Sequence, residues 1–206
     1  MSAPAESAAK LGDGPAGIPQ PVLVRGTGLL GASIGIGLSA AGVDVRLHDP
    51  SPAALAVAAD IRAGRPARLD AEGDDLDVAP GLVVVAAPPD VTADVVVDSL
   101  RRWPAAVVVD IASVKEAVAA GVRAAVDDGR LAPQDADRYL GTHPMAGSER
   151  SGPVAARGTL FTQAPWVLCP TDTTHPGALA AGRALALTLQ ATPYRMAARA
   201  HDESVA

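Results

Sequence analysis

The hexad Gly26-Thr27-Gly28-Leu29-Leu30-Gly31 has the spacing of a turn that cradles phosphate. It follows the short apolar run 21–25 and opens the apolar stretch 29–41, so it stands between an expected strand and an expected helix. In that setting each glycine has its own reason to be there. Gly26 permits the tight turn, Gly28 lets the backbone approach a pyrophosphate, and Gly31 lets helix and strand pack closely. The free amides and positive dipole end of the helix would face the anion. Asp49 lies 18 residues beyond Gly31, at the end of the next apolar run. There it can accept hydrogen bonds from ribose hydroxyls. A carboxylate repels a 2′-phosphate, so NAD is expected over NADP, though Arg46 and His48 close by weaken that preference. The plainer role for Asp49 is a turn or capping residue ahead of Pro50. Arg25, just before the first glycine, either approaches the pyrophosphate or reaches solvent.

Three more segments carry polar or permissive residues at expected strand ends. Ala86-Ala87-Pro88-Pro89 closes the apolar run 82–87, and its small residues would let a cofactor pass at the carboxyl edge of a sheet. Asp110-Ile111-Ala112-Ser113-Val114-Lys115 follows the run 105–110. Ser113 is a candidate cap for the next helix. Lys115 in a first turn opposes the helix dipole and so calls for a ligand or an acidic partner. The segment His143-Pro144-Met145-Ala146-Gly147-Ser148-Glu149-Arg150-Ser151-Gly152 follows the run 139–142. A histidine there, titrating near its reference value of about 6.5, can take a proton from an alcohol during hydride transfer, or can be a plain structural residue.

Positioning these groups requires an alternation of strands and helices. Expected strands are 21–25, 43–48, 82–87, 105–110, 166–169 and 193–196, and the expected helices are 29–41, 52–63 with Ser51 as N-cap, 91–102, 114–128 and 177–189. The continuous apolar runs suit strands buried on both faces, and the alternation implies a Rossmann-type, doubly wound α/β fold with a mainly parallel sheet. Residues 1–20, rich in Ala, Gly, Pro and Ser, read as a disordered tail, and 21–196 as the dinucleotide-binding domain. A last helix from about residue 197 has no evident partner within the chain. The acidic stretch 70–77 reads as a solvated loop.

The 206 residues suit one domain of this kind, and a net charge of -6 gives no electrostatic footprint for nucleic acid. A single cysteine, Cys169, cannot form an internal disulfide; it reads as a buried structural thiol in a protein of the reducing cytoplasm. No apolar run reaches membrane-spanning length, and neither a signal peptide nor a metal site is expected.

Residues 26–35 (GTGLLGASIG), 110–115 (DIASVK), 143–152 (HPMAGSERSG), Leu160-Phe161 and His201-Asp202 resemble the prephenate/arogenate dehydrogenase family of tyrosine biosynthesis. The resemblance covers about residues 21–206 and is most specific at 143–152. It implies NAD-dependent oxidative decarboxylation of a cyclohexadienol: hydride leaves ring C4, the C4 hydroxyl loses its proton, and the ring loses CO₂ and becomes aromatic. His143 matches the family's catalytic histidine, Ser113 a serine bonded near the C4 hydroxyl, and Ser148 and Glu149 positions lining the substrate pocket. Thr27, Leu29, Leu30, Ala87 and Pro88 join the glycines and Asp49 as expected cofactor contacts. The resemblance further implies a following helical domain that supplies basic residues for the substrate carboxylates and forms a homodimer, largely missing from these 206 residues. Alternatives are an arogenate-preferring enzyme, a 3-hydroxyacid dehydrogenase, for which no later catalytic lysine is found, and a non-catalytic dinucleotide-binding module.

Overall fold

A computed structural model describes residues 9–10, 17–70, 73–146 and 152–205. In chain order the elements are β1 (Ala9–Lys10), β2 (Val22–Arg25), α1 (Leu29–Ala40), β3 (Val45–His48), α2 (Pro52–Asp60), β4 (Arg65–Pro66), β5 (Leu69–Asp70), β6 (Gly73–Asp74), β7 (Leu82–Val85), α3 (Pro89–Arg102), β8 (Val107–Asp110), α4 (Glu116–Asp127), α5 (Pro133–Ala136), β9 (Tyr139–Pro144), β10 (Pro165–Cys169), α6 (Pro176–Thr188), β11 (Thr192–Arg195) and α7 (Ala198–Val205). Nine strands form one sheet in the order β1-β11-β10-β9-β8-β7-β2-β3-β4. From β4 to β9 every pairing is parallel, and the order reverses between β2 and β7. Such a reversal in a doubly wound sheet opens a crevice at the carboxyl ends of the two strands.

The strands are as apolar as parallel strands covered on both faces must be. Successive residues alternate between two cores. Val22, Val24, Leu82, Val84 and Val109 pack with Ile34, Leu38 and Leu185. Leu23, Val83, Val85 and Val108 pack with Val96, Leu100 and Val122. Ser51 caps α2 as expected, its hydroxyl accepting from Ala54 N at 3.3 Å. The run 82–87 leaves the sheet after Val85, and α3 starts two residues ahead of its expected start, at Pro89, a residue suited to a first helical turn.

Beyond β9 the sheet departs from uniform parallel order. β10 runs antiparallel to β9, and β11 parallel to β10. The helix α6 leads from β10 to its parallel partner β11, whereas the β9–β10 link contains only the 3₁₀ turn Pro153–Ala155 among its described residues. The expected tail lies mostly outside the described residues, but Ala9–Lys10 pairs antiparallel with β11. Within the acidic stretch, β5 and β6 form a small hairpin tied to α3 by Arg102, which donates to Asp70 O and Gly73 O. The last helix is not partnerless. α7 packs on α4 and β10, with His201 fully buried.

Candidate active site

At the crevice between β2 and β7 lies a cleft of about 840 Å³, within the range of small-molecule sites. Its walls are Gly26 and Gly28–Gly31 from the turn after β2, His48–Pro50 after β3, Ala86–Pro89 after β7, Ile111–Ser113 after β8, and His143 of β9. All are strand ends on one edge, as the topology requires.

Gly26 and Gly31 have the steric roles their spacing predicts. Gly26 has φ +107°, and a Cβ on it would meet Ala86 O at 2.3 Å. A Cβ on Gly31 would meet Gly26 O at 1.9 Å, so α1 can lie this close to β2 only with glycine there. A Cβ on Gly28 would meet nothing within 4 Å; the position is exposed and faces open space. Gly28 is also the N-cap of α1, which has no side-chain cap. The first-turn amides therefore lack the usual protein acceptor. Glycine that no protein neighbour requires, beside uncapped amides, fits a pyrophosphate against the helix end. Thr27 is fully buried and locks the turn to the end of β3: its amide and hydroxyl donate to Asp49 Oδ2 at 2.7 and 2.9 Å. Asp49 Oδ1 accepts from Ser51 N at 2.8 Å. A carboxylate offers about four acceptor sites, so Asp49 keeps lone pairs for a ribose diol while also shaping the turn. Arg25 lines the cleft without reaching open solvent. It turns onto α3, where Nη1 donates to Asp98 Oδ2 (2.6 Å), Ser99 Oγ (2.8 Å) and Val95 O (3.3 Å).

His143 is half-buried on the far wall of the cleft, and Ser113 is exposed on the same wall. Nδ1 of His143 lies 2.8 Å from Nε2 of His201, with the rings edge to face. Nδ1 of His201 lies 2.7 Å from Asp202 Oδ1. Asp202 in turn accepts from the amides of Lys115 and Glu116, both at 2.9 Å. Ser113 therefore does not cap α4: Lys115 is the N-cap residue, and the carboxylate that satisfies the amides comes from α7. Burial works to raise Asp202, but those two amides and His201 outweigh it and hold the carboxyl below its usual range. Burial, then the nearby charges of His201 and Lys115, pushes His143 down to about 4, against the opposing pull of Asp202. The reference value expected for this histidine is thus displaced.

Behind His143 sits a buried polar cluster. Lys115, 1% exposed, pairs with the fully buried Asp110 and donates to Thr142 O at 2.6 Å. Tyr139 OH donates to Asp110 Oδ2 at 2.7 Å, and Thr142 Oγ1 to Asp110 O at 2.6 Å. Lys115 thus has the acidic partner its position calls for, and the cluster pins the β9 backbone one residue before His143. Burial and the Asp110 charge raise the Tyr139 phenol well above its usual range. Burial likewise pushes Cys169 up to about 12, the state of an inert thiol.

Ser148 and Glu149 lie outside the described residues. The structure adds His201, Asp202, Lys115 and Asp110 to the neighbourhood of His143. The available signals were the adjacent His-Asp pair in a helix poor in large apolar residues and a lysine five positions after a strand-ending aspartate. Among the described residues no group of three or more His, Cys, Asp or Glu is placed to hold a metal ion, and no helix is long and apolar enough to cross a membrane.

The chain is similar to known proteins in sequence and in fold. Residues 36–192 match the family model of the prephenate dehydrogenase nucleotide-binding domain. The probable prephenate dehydrogenase NovF of Streptomyces niveus is 36% identical over 184 residues, 89% of this chain and 47% of its own length. The chain thus spans about half the length of the curated relative it matches. The crystal structure of a Synechocystis arogenate dehydrogenase is 27% identical, with a TM-score of 0.75, over 89% of this chain and 62% of that one. Prephenate dehydrogenase from A. aeolicus, in complex with hydroxyphenyl propionate and NAD+, is 22% identical with a TM-score of 0.76, again over 89% and 62%; at that identity the likeness speaks to the fold. With more than half its length inside the family model, the chain belongs to the prephenate dehydrogenase family and carries its nucleotide-binding domain.

Proposed function

We propose that this domain binds NAD+ and, in the protein of which it is part, oxidatively decarboxylates prephenate to 4-hydroxyphenylpyruvate. The observation that carries the reading is that His143 and Ser113 share one cleft with the turn at Gly26–Gly31. Bound NAD+ would supply the hydride acceptor. Gly28 and the first-turn amides of α1 hold the pyrophosphate, Asp49 accepts from the ribose diol, and Ala87 and Pro88 border the passage toward His143. Ser113 hydrogen-bonds the C4 hydroxyl of the substrate, and His143 takes its proton. CO₂ loss with aromatisation drives the reaction, so orientation and a base are what the cleft must provide. On this reading the reaction is a cytoplasmic step of tyrosine biosynthesis, carried out by a homodimer.

The NAD preference rests on charge. Arg46 is taken by Asp44 and Asp77. Burial, followed by the charges of Arg25 and Arg102, favours neutral His48 despite its contact with Ala67 O. Neither is a ready partner for a 2′-phosphate, whereas Asp49 repels one by on the order of 2–4 kcal/mol. Calorimetric titration should favour NAD+ over NADP+ by at least about tenfold; equal or reversed affinities would remove Asp49 from the ribose role.

Turnover is tested by NADH absorbance with prephenate, arogenate and a 3-hydroxyacid. In a full-length enzyme His143→Ala should lower turnover by roughly 10²–10⁴-fold with NAD+ affinity retained. Near-normal turnover would make His143 structural. A second reading, dinucleotide binding without turnover by these 206 residues, is favoured by one observation. Arg25 is the sole Lys or Arg among the cleft's described lining residues, and it is committed to Asp98. NAD+ binding with no turnover of any substrate is the result that reading expects.

A further inference from the structure

His143 poses a chemical difficulty. A general base works best with a pKa near the working pH, and His143 sits at about 4. Burial, with His201 and Lys115 beside it, leaves it a weak hold on a proton. Geometry shows where that proton can go: its Nδ1 meets His201 Nε2, and His201 Nδ1 meets Asp202. The hydrogen bonds of this row settle its protonation. Asp202 already accepts from two backbone amides and is ionised, so His201 Nδ1 must donate to it. In a neutral His201 the other nitrogen, Nε2, then has only a lone pair. His143 Nδ1 must carry a hydrogen and donate it. That leaves Nε2 of His143 as an acceptor, the form a base requires.

Resting on the reading of His143 as the base, we propose that His201, held by Asp202, is the positioning residue that fixes His143 in its Nδ1–H tautomer and receives that proton during the reaction. As the substrate O–H bond breaks, an N–H bond forms at Nε2 of His143. The Nδ1–H bond of His143 breaks, and the same proton forms Nε2–H on His201. The positive charge thus ends on His201, against the Asp202 carboxylate, rather than on His143 beside Lys115. Protonating His201 beforehand would reverse the row, place a hydrogen on Nε2 of His143 and disarm it. Among the described residues, the charged groups acting on His143 besides His201 are Lys115 from the start of α4 and Asp202 from α7, and the hydrogen-bond contact of His201 Nε2 is His143 Nδ1.

The chain has four histidines, so selective ¹⁵N labelling gives four resolvable imidazoles. Long-range ¹H–¹⁵N correlation at about pH 8 should show His143 and His201 both as Nδ1–H tautomers, with a scalar coupling across the Nδ1–H···Nε2 bond between them. In His201→Leu, His143 should lose its single tautomer and populate Nε2–H. In His201→Gln the side-chain carbonyl accepts in place of Nε2, and Nδ1–H should persist. A wild-type His143 in the Nε2–H form, or no coupling to His201, overturns the proposal even if the leucine variant fails to fold. In a full-length enzyme kcat should fall in the order wild type, His201→Gln, His201→Leu, His143→Ala, the last by roughly 10²–10⁴-fold, with the KM for NAD+ unchanged. If the spectra are as expected but His143→Ala retains turnover, the base reading fails and the tautomer assignment stands. If His143→Ala is inactive but the coupling is absent, the base reading stands and the role of His201 fails.

Discussion

Gly28 and Gly31 offer a pair of substitutions in which the same added methyl group should have opposite consequences. At Gly31 a Cβ would stand 1.9 Å from Gly26 O and 3.0 Å from the Ala86 Cβ. Both neighbours are fixed, one a backbone carbonyl and the other part of the β7 exit, so α1 itself must move. Overpacking of this kind costs about 1–3 kcal/mol or more. For a domain of this size that is roughly 2–12 °C in Tm. At Gly28 the Cβ meets nothing within 4 Å, and φ −65°, ψ −170° is a conformation alanine adopts freely. A poorer N-cap loses up to about 1 kcal/mol, and the stiffer unfolded chain returns about 0.4–1. Folding should therefore be nearly unchanged. Binding should not be, because the methyl group occupies the space in which phosphate oxygens would meet the α1 amides. Losing one charge-assisted hydrogen bond, about 1.5–3 kcal/mol, lowers affinity by roughly 10–150-fold. Differential scanning calorimetry and isothermal titration with NAD+ on the 206-residue chain read the two effects separately. If Gly28→Ala binds NAD+ like the wild type, the pyrophosphate does not lie where the open space is. If Gly31→Ala is as stable as the wild type, helix–strand contact does not require that glycine.

Two further substitutions probe the groups behind the cleft. Lys115→Met leaves the Asp110 carboxylate buried with Tyr139 and Ala112 N but no cation; breaking a buried pair in this way should cost about 3–5 kcal/mol, read by urea unfolding, and a loss below about 1 kcal/mol would mean that water or a neighbour replaces the ammonium. His143, pushed down to about 4 in the folded chain, stays neutral over a range where the unfolded chain, near 6.5, takes up a proton. Its contribution to stability is therefore fully present above about pH 6.5 and is lost as pH falls toward 4; the Tm of wild type minus that of His143→Gln should decline across that window, and a flat difference would refute the lowered value.

The elements that could be read from sequence are those whose cause is local. LVVV at Leu82–Val85 and VVVD at Val107–Asp110 are apolar because both faces are covered, and no turn residue interrupts them. Ser51 caps from three residues away. The glycine spacing is set by a single turn. What escaped reading depends on distant partners. The amides at the start of α4 are satisfied by Asp202, 87 residues from Lys115, so a local rule pointed to Ser113 instead. α7 looked partnerless because it is poor in large apolar side chains; its buried anchor is a histidine, which hydrophobic periodicity does not count. The antiparallel turn of β10 likewise lies in its connection to β9 and not in the strand's own residues.

Charge explains why half of the candidate site was legible and half was not. A dinucleotide's phosphates can be held by backbone amides, and what such binding demands of sequence is the absence of a side chain at Gly28, with Gly26 and Gly31 permitting the turn that exposes those amides. The proposed hydroxyl oxidation needs a base whose lone pair points the right way, and for His143 that would be set by a hydrogen-bonded row drawn from β9, α7 and the start of α4. The row has no fixed spacing in sequence. Both halves nevertheless depend on the same sheet edge. The turn after β2 is locked by Asp49 after β3, and His143 on β9 is backed by Asp110 at the end of β8 and by Lys115 just beyond it. The buried ion pair is costly to desolvate and brings no reacting atom into the cleft. Its use is geometric: it fixes the backbone beside His143, so that the imidazole meets His201 at hydrogen-bonding distance instead of rotating toward solvent.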